Sequence, residues 1–392
     1  MPFRRLTDLD VAGKRVLVRE DLNVPIKDGS VEDYERIDAA LPTLRWLHEH
    51  GARTIILSHL GRPNGKPDPK YSLRPVAQAL SNRLHLPVAF DGDCIGDAAA
   101  SAVAQLHDGG FVLLENVRFH PGEESNDPEF ARALASLGDL YVNDAFATAH
   151  RAHASTEALA HLLPSAAGLL MEREIEELTR LTANPAKPYV CVIGGAKIKD
   201  KIGVLEQLSA QVSAFCFGGG MANTLLAAQG VDVGRSLRDD DLEPARHVLT
   251  LTKERGVAVH LPSDAVIAPA LDDEAHARVA PVAEVGDEMI LDIGPATATE
   301  YATVIEAAKT IVFNGPMGVY ERAAYRSGTE KIGEAIARAT NAGATSVIGG
   351  GDAAAAAHML GFADAASYVS TGGGATLEFL EGKTLPGVAA LG

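Results

Sequence analysis

The feature that most constrains this chain is a repeated succession of short apolar run, glycine-rich turn and helical pattern. It is clearest at Phe217-Gly218-Gly219-Gly220-Met221-Ala222-Asn223, at Gly349-Gly350-Gly351-Asp352 and at Ser370-Thr371-Gly372-Gly373-Gly374-Ala375. Near-continuous apolar strands separated by helices predict parallel sheets covered on both faces. Ligands of such sheets bind beyond the carboxyl ends of the strands, where these turns fall. Each turn would present backbone N–H groups at the positive end of a helix, a natural seat for phosphate.

The succession runs the length of the chain. Strands are predicted at 15–19, 54–58, 87–90, 111–115 and 140–143, with helices at 37–50, 74–84 and 128–137 between them. A second series of strands follows at 189–193, 214–218, 257–261, 310–314, 346–349 and 367–370. Between the two series Leu170, Met171, Ile175, Leu178 and Leu181 recur at helical spacing, with Glu172, Arg173, Glu174, Glu176 and Glu177 opposite them. Asn184-Pro185-Ala186-Lys187-Pro188 ends that pattern. The reading is a domain at 1–168, a connecting helix at 169–182 and a second domain at 183–376, for which 392 residues suffice.

The chemistry of the two halves differs. The first scatters Arg19, Arg36, His59, Arg62, Arg118, His120, His150, Arg151 and His153 after its strands, suited to clamping a small anion. The formal net charge of −17 excludes nucleic acid and anionic membrane as partners, so this cation set must act locally. Three widely spaced cysteines, no N-terminal apolar leader and no long apolar run predict a reduced, cytoplasmic protein. The second half carries the glycine turns and Gly194-Gly195-Ala196-Lys197-Ile198-Lys199-Asp200-Lys201. There Lys197 and Lys201, four apart, would share a helix face toward phosphate. Asp352 would serve either as a helix N-cap or as a ligand of Mg²⁺ beside the phosphate turn.

Together these halves suggest a two-substrate phosphoryl-transfer enzyme. The segment ending Glu381-Gly382-Lys383-Thr384 lacks the first glycine of a Walker A loop, where Leu377 stands. The signatures of protein kinases are also missing. Gly349-x-Gly351-x-x-Ala354 matches a permissive dinucleotide fingerprint, but the strand that should end in a ribose-binding acid runs into Ser370-Thr371-Gly372. A nicotinamide-dependent dehydrogenase and a non-catalytic anion-binding protein remain the alternatives.

Taken in order, the segments 19–25, 58–63, 115–123, 143–155, 194–202, 218–223, 313–321, 349–352 and 370–387 closely resemble the phosphoglycerate kinase family over essentially the whole chain. The resemblance implies a bilobal hinge enzyme of two Rossmann-like, three-layer α/β domains joined by a helix, with the segment 377–392 packing back on the first. It implies reversible transfer of phosphate between ATP and 3-phosphoglycerate, giving ADP and 1,3-bisphosphoglycerate, with Mg²⁺ and as a monomer. Asp21, Asn23, Arg36, His59, Arg62, Arg118 and Arg151 would hold 3-phosphoglycerate. Gly195, Lys197, Lys201, Gly219, Gly220, Gly294, Asn314, Pro316, Glu321, Gly350, Gly351, Asp352 and Ala353 would line the nucleotide site, with Asp352 reaching the metal. Arg36, Lys197, Gly351, Gly372 and Gly373 would stabilise the transferring group. The acceptor carboxylate is ionised at neutral pH, so such a reaction needs positioning and charge rather than a general base. Three departures stand out: Ala353 where the family usually has Thr or Ser, Glu20 and Leu22 flanking Asp21 in place of Val and Phe, and Ala147 where many relatives have Gly.

Overall fold

The computed structural model describes residues 3–392. The chain divides into two compact units, Met1–Glu176 with Thr384–Gly392, and Glu177–Lys383.

The first unit is built on a six-stranded parallel sheet. Its spatial order is Val88–Phe90, Phe111–Leu113, Arg53–Leu57, Arg15–Arg19, Leu140–Asn143 and Ser165–Ala167. Val16, Leu17, Val18, Ile55, Ile56 and Leu57 are all buried, because side chains on both faces of a central parallel strand meet helices. Helices Glu35–Glu49 and Arg74–Leu84 supply Ile37, Leu44, Val76 and Leu80 to one of these layers. A short hairpin, Ile26–Lys27 with Ser30–Val31, follows the first strand.

The second unit repeats the plan with Ala258–His260, Ala214–Phe217, Tyr189–Ile193, Thr310–Asn314, Thr345–Ile348 and Tyr368–Val369, again parallel. It adds an element absent from the predicted strands, a three-stranded antiparallel sheet of Asp264–Ala268, Arg278–Pro281 and Met289–Ile293. Arg278, Val279 and Pro281 of its edge strand are exposed, so the strand has no continuous apolar stretch.

The helix Leu169–Thr182 spans the division between the units. Its first turn is satisfied from the first unit: the Leu169 N–H donates to Thr43 Oγ1 (2.9 Å) and the Met171 N–H to Asp144 Oδ1 (2.9 Å). These bonds occupy donors that a helix start leaves without intrahelical acceptors. At the C-terminus, the helix Gly374–Leu380 packs on Ile202–Leu208 within the second unit. The return to the first unit therefore takes in only Thr384–Gly392, not the whole of 377–392.

Candidate active site

In the first unit, arginines from four separate segments converge on one histidine. Arg19 ends a central strand, Arg36 opens the helix Glu35–Glu49, Arg118 sits in the 3-10 turn Val117–Phe119, and Arg151 follows the turn Phe146–Thr148. His59 is buried and lies 3.2 Å (Nδ1) from Arg19 Nη2. Burial, and then the charges of Arg19, Arg118, Arg36 and Arg151, hold it well below the ordinary histidine range. It is a neutral donor or acceptor among cations at physiological pH.

Around it the polar contacts are specific. Arg36 pairs with Asp21. Asp21 Oδ1 accepts from the Asn23 N–H (3.2 Å), and Asn23 Oδ1 accepts from the Gly61 N–H (2.8 Å), which ties the two turns together. Arg118 Nη1 donates to the Gly61 carbonyl (2.9 Å), while its Nη2 is buried without a hydrogen-bond partner. Burial, with Arg19 next, pushes the Arg118 guanidinium down to about 10. An unpaired buried guanidinium nitrogen is costly unless an anion completes it. Arg62 is exposed on the same turn, beside Gly61. Arg19 plays a different part from the rest: it is fully buried, donates to Ser155 Oγ (2.8 Å), and is balanced through Ser155 by Glu123. It and Glu123 brace the cluster from beneath, a role visible only once the strands are packed.

The second unit holds a cavity of about 490 Å³. Its walls include Gly195, Gly219, Gly220, Pro316, Glu321 and Asp352, all expected from the sequence, and Leu237, Leu271, Met289, Met317 and Tyr320, which were not. The apolar wall is assembled from scattered segments, so no local pattern signals it. Gly350 takes φ +102, a conformation side chains rarely adopt, and caps the helix Gly351–Met359. The first-turn N–H groups of that helix, at Gly351, Asp352 and Ala353, lack intrahelical acceptors. Asp352 is exposed at that turn, whereas the Ala353 side chain is buried in the apolar core. Asn314 Nδ2 donates to the Gly349 carbonyl (2.5 Å) and so braces the same turn.

Three sequence expectations need correction. Lys197 and Lys201 do not share a helix face, because Gly194 and Gly195 bend the chain and the α-helix begins only at Ile202. Lys197 is exposed, while Lys201 turns inward and donates to the carbonyls of Gly194 (2.7 Å) and Asn314 (2.8 Å). Burial pushes Lys201 down to about 8, against the attraction of Asp352 among others. Gly294 does not line this cavity. It caps the helix Pro295–Glu306 beside Asp264 and borders a separate cavity with Val266, Glu274 and Lys331. The Gly372 N–H is already donated to Ser370 Oγ (3.2 Å), so it is not a waiting phosphate donor in this structure. Gly373 caps the helix Gly374–Leu380 at φ +53, outside the walls of the cavity.

A family profile described as phosphoglycerate kinase matches residues 6–383. The chain belongs to the phosphoglycerate kinase family. Phosphoglycerate kinase from Rhodospirillum centenum is 52% identical over 395 residues, covering 100% of both chains. That from Chloroflexus aurantiacus is 52% identical over 396 residues, covering 100% of this chain and 99% of the relative. Among solved structures, phosphoglycerate kinase from Coxiella burnetii aligns with a TM-score of 0.90 at 44% identity, over 100% of this chain and 99% of that one. The Pyrococcus horikoshii enzyme aligns at 0.83 and 33%, over 99% and 98%. As a member of the phosphoglycerate kinase family, the chain is a phosphotransferase that moves phosphate between ATP and 3-phosphoglycerate in glycolysis. The dehydrogenase and the non-catalytic binding protein are not favoured by any of these relatives.

Proposed function

We propose that the arginine cluster of the first unit is the 3-phosphoglycerate site and the cavity of the second is the nucleotide site. The observation that carries the assignment is Arg118 Nη2, buried without a partner in a cluster where four arginines surround a neutral His59. A phosphate and a carboxylate on one small molecule would satisfy that excess of positive charge. Arg36, Arg62, Arg118 and Arg151 supply charge, while Asp21, Asn23 and His59 orient the acid's hydroxyl and carboxylate.

In the second unit, the apolar wall takes the base and Glu321 the ribose. Gly195, Gly219, Gly220 and Pro316 give the nucleotide close backbone approach, and Asn314 holds the turn at Gly350. The N–H groups of Gly351, Asp352 and Ala353 face the phosphates, and Lys201, held on the Gly194 and Asn314 carbonyls, adds its positive charge from behind the glycine turn. The exposed Asp352 carboxylate beside that turn fits a magnesium ion, which takes one or two protein carboxylates together with phosphate oxygens. Bound there, Mg²⁺ would neutralise charge on the phosphates. Lys197, exposed and unrestrained, and Arg36 serve the transferring group, with Gly372 and Gly373 available only if their turn rearranges. Because the acceptor is an ionised carboxylate, transfer needs alignment and charge stabilisation, not proton abstraction. The enzyme acts as a cytoplasmic monomer. Among the described residues, no helix is long and apolar enough to cross a membrane.

The test is ADP formation from Mg-ATP with and without 3-phosphoglycerate, with a coupled reductase trapping the acyl phosphate. Turnover that depends on the acid is the expected result. Nucleotide hydrolysis indifferent to the acid would overturn the assignment of the arginine cluster.

A further inference from the structure

At the edge of the first sheet, Val88–Phe90 and Phe111–Leu113 run parallel and adjacent, so the segments leaving their carboxyl ends meet. The first brings Asp93 and Cys94; the second continues through the turn Val117–Phe119 to His120. One donor atom from each of Asp93, Cys94 and His120 lies within 4.8 Å of the other two. His120 Nε2 is 2.7 Å from Asp93 Oδ1, and its ring is stacked on Phe130 at 5.1 Å. Asp93 is fixed in turn: its N–H donates to Asp91 Oδ1 (3.1 Å), and its Oδ1 accepts from the Cys94 N–H (2.6 Å). The three side chains have no part in the site described above.

We propose that Asp93, Cys94 and His120 form a binding site for a divalent transition metal, zinc by preference, separate from the magnesium that accompanies nucleotide. One oxygen, one sulfur and one nitrogen donor form a borderline-soft set that suits Zn²⁺ and disfavours Mg²⁺. Bond lengths near 2.0–2.3 Å in a tetrahedral site put donor atoms roughly 3.3–3.8 Å apart. The triad reaches that spacing if the Asp93–His120 pair opens by less than about an ångström and any separation near the 4.8 Å limit closes by about as much. Asp93 and His120 are partly exposed, which gives an entry side and room for a water as fourth ligand. The buried thiol is held up by burial and by the charges of Asp93, Glu123 and Glu115. The same negative field favours a cation, and coordination ionises a thiol outright, releasing its proton to solvent. His120 binds as the neutral imidazole through Nε2, keeping its remaining proton on Nδ1. A metal here would tie together two segments of the first unit, two residues from Arg118.

Cobalt(II) titrated into the full-length protein tests this, because a thiolate–cobalt bond gives a near-ultraviolet charge-transfer band that oxygen and nitrogen ligands do not. The expected result is one cobalt per chain carrying that band and displaceable by zinc. Cys94→Ser should abolish the band, and His120→Gln should weaken binding by more than about a hundredfold, beyond the usual effect of losing a supporting group. Circular dichroism and metal-free turnover of Cys94→Ser serve as the folding control. Absence of the band at millimolar cobalt overturns the proposal, as does a band that survives Cys94→Ser, which would place the metal on another cysteine. In either case Asp93–His120 is a hydrogen-bonded pair that braces two loops and nothing more.

Discussion

At the scale of single residues, the two units treat their cations differently. Arg118 is dehydrated, with both Nε and Nη2 buried without a hydrogen-bond partner. Its neutral replacement relieves burial but removes hydrogen bonds to a charged ligand, each worth about 1.5–3 kcal/mol. Arg118→Ala should therefore raise the KM for 3-phosphoglycerate roughly ten- to hundredfold while leaving that for ATP nearly unchanged. Steady-state kinetics in each substrate would show this, and a change confined to the nucleotide KM would remove Arg118 from the acid site. Lys201 makes a pH-dependent prediction. Burial lowers it to about 8, so the free enzyme carries this charge below that pH and loses it above. Nucleotide affinity should weaken as pH rises through about 8, and Lys201→Met should bind weakly with that limb of the profile flattened. An unchanged alkaline limb in Lys201→Met would assign the ionisation to another group. Both residues could be singled out in the sequence because each lies in a segment that leaves an apolar strand toward the mouth of its sheet, where an anion would bind. Which way each side chain turned was not visible: the inward path of Lys201 depends on the carbonyls of Gly194 and Asn314, over a hundred positions apart in the second case.

At the scale of elements, the parallel strands were legible because burial on both faces writes itself as an unbroken apolar run. The antiparallel sheet of Asp264–Ala268, Arg278–Pro281 and Met289–Ile293 was not, since its edge strand is largely wet and only short 3-10 turns, not helices, separate its strands. Gly294 shows the same limit. A glycine between a strand and a helix reads alike whether it admits a ligand or caps the helix, and here it caps. The start of the helix Leu169–Thr182 yields a stability prediction of its own. Asp144, which accepts from Met171, is raised by burial to about 6. The folded protein thus holds this proton more tightly than the unfolded chain, whose carboxyl titrates near 3.9. Its contribution to stability is complete below about 4 and declines as pH rises through about 6. Asp144→Asn keeps an acceptor for the helix N–H but cannot ionise, so urea midpoints measured from pH 4 to 8 should lose part of their decline. Parallel pH curves for the two proteins would mean that Asp144 titrates alike folded and unfolded.

For the whole molecule, the distribution of the chain between its units has energetic consequences. The first unit is closed by Thr384–Gly392, which follows the whole of the second unit in the chain. Leu385, Val388 and Leu391 of this tail are buried, the Gly387 N–H donates to the Ala149 carbonyl (2.9 Å), and the Gly387 carbonyl accepts from Asn143 Nδ2 (3.3 Å). Burying an aliphatic side chain is worth about 1.5–3 kcal/mol, so the three together contribute on the order of 5 kcal/mol, a large share of any domain's net stability. Ending the chain at Lys383 should therefore destabilise the first unit selectively. The cavity of the second unit draws nothing from those nine residues, and its helix Gly374–Leu380 stays packed on Ile202–Leu208. The truncated protein should then unfold in two calorimetric transitions: an early one for the first unit, and a later one that nucleotide shifts upward and 3-phosphoglycerate does not. Affinity for ADP should survive where affinity for 3-phosphoglycerate falls. A single transition at the original temperature would show the tail to be dispensable. Loss of both affinities together would show that the second unit depends on the first for its own fold.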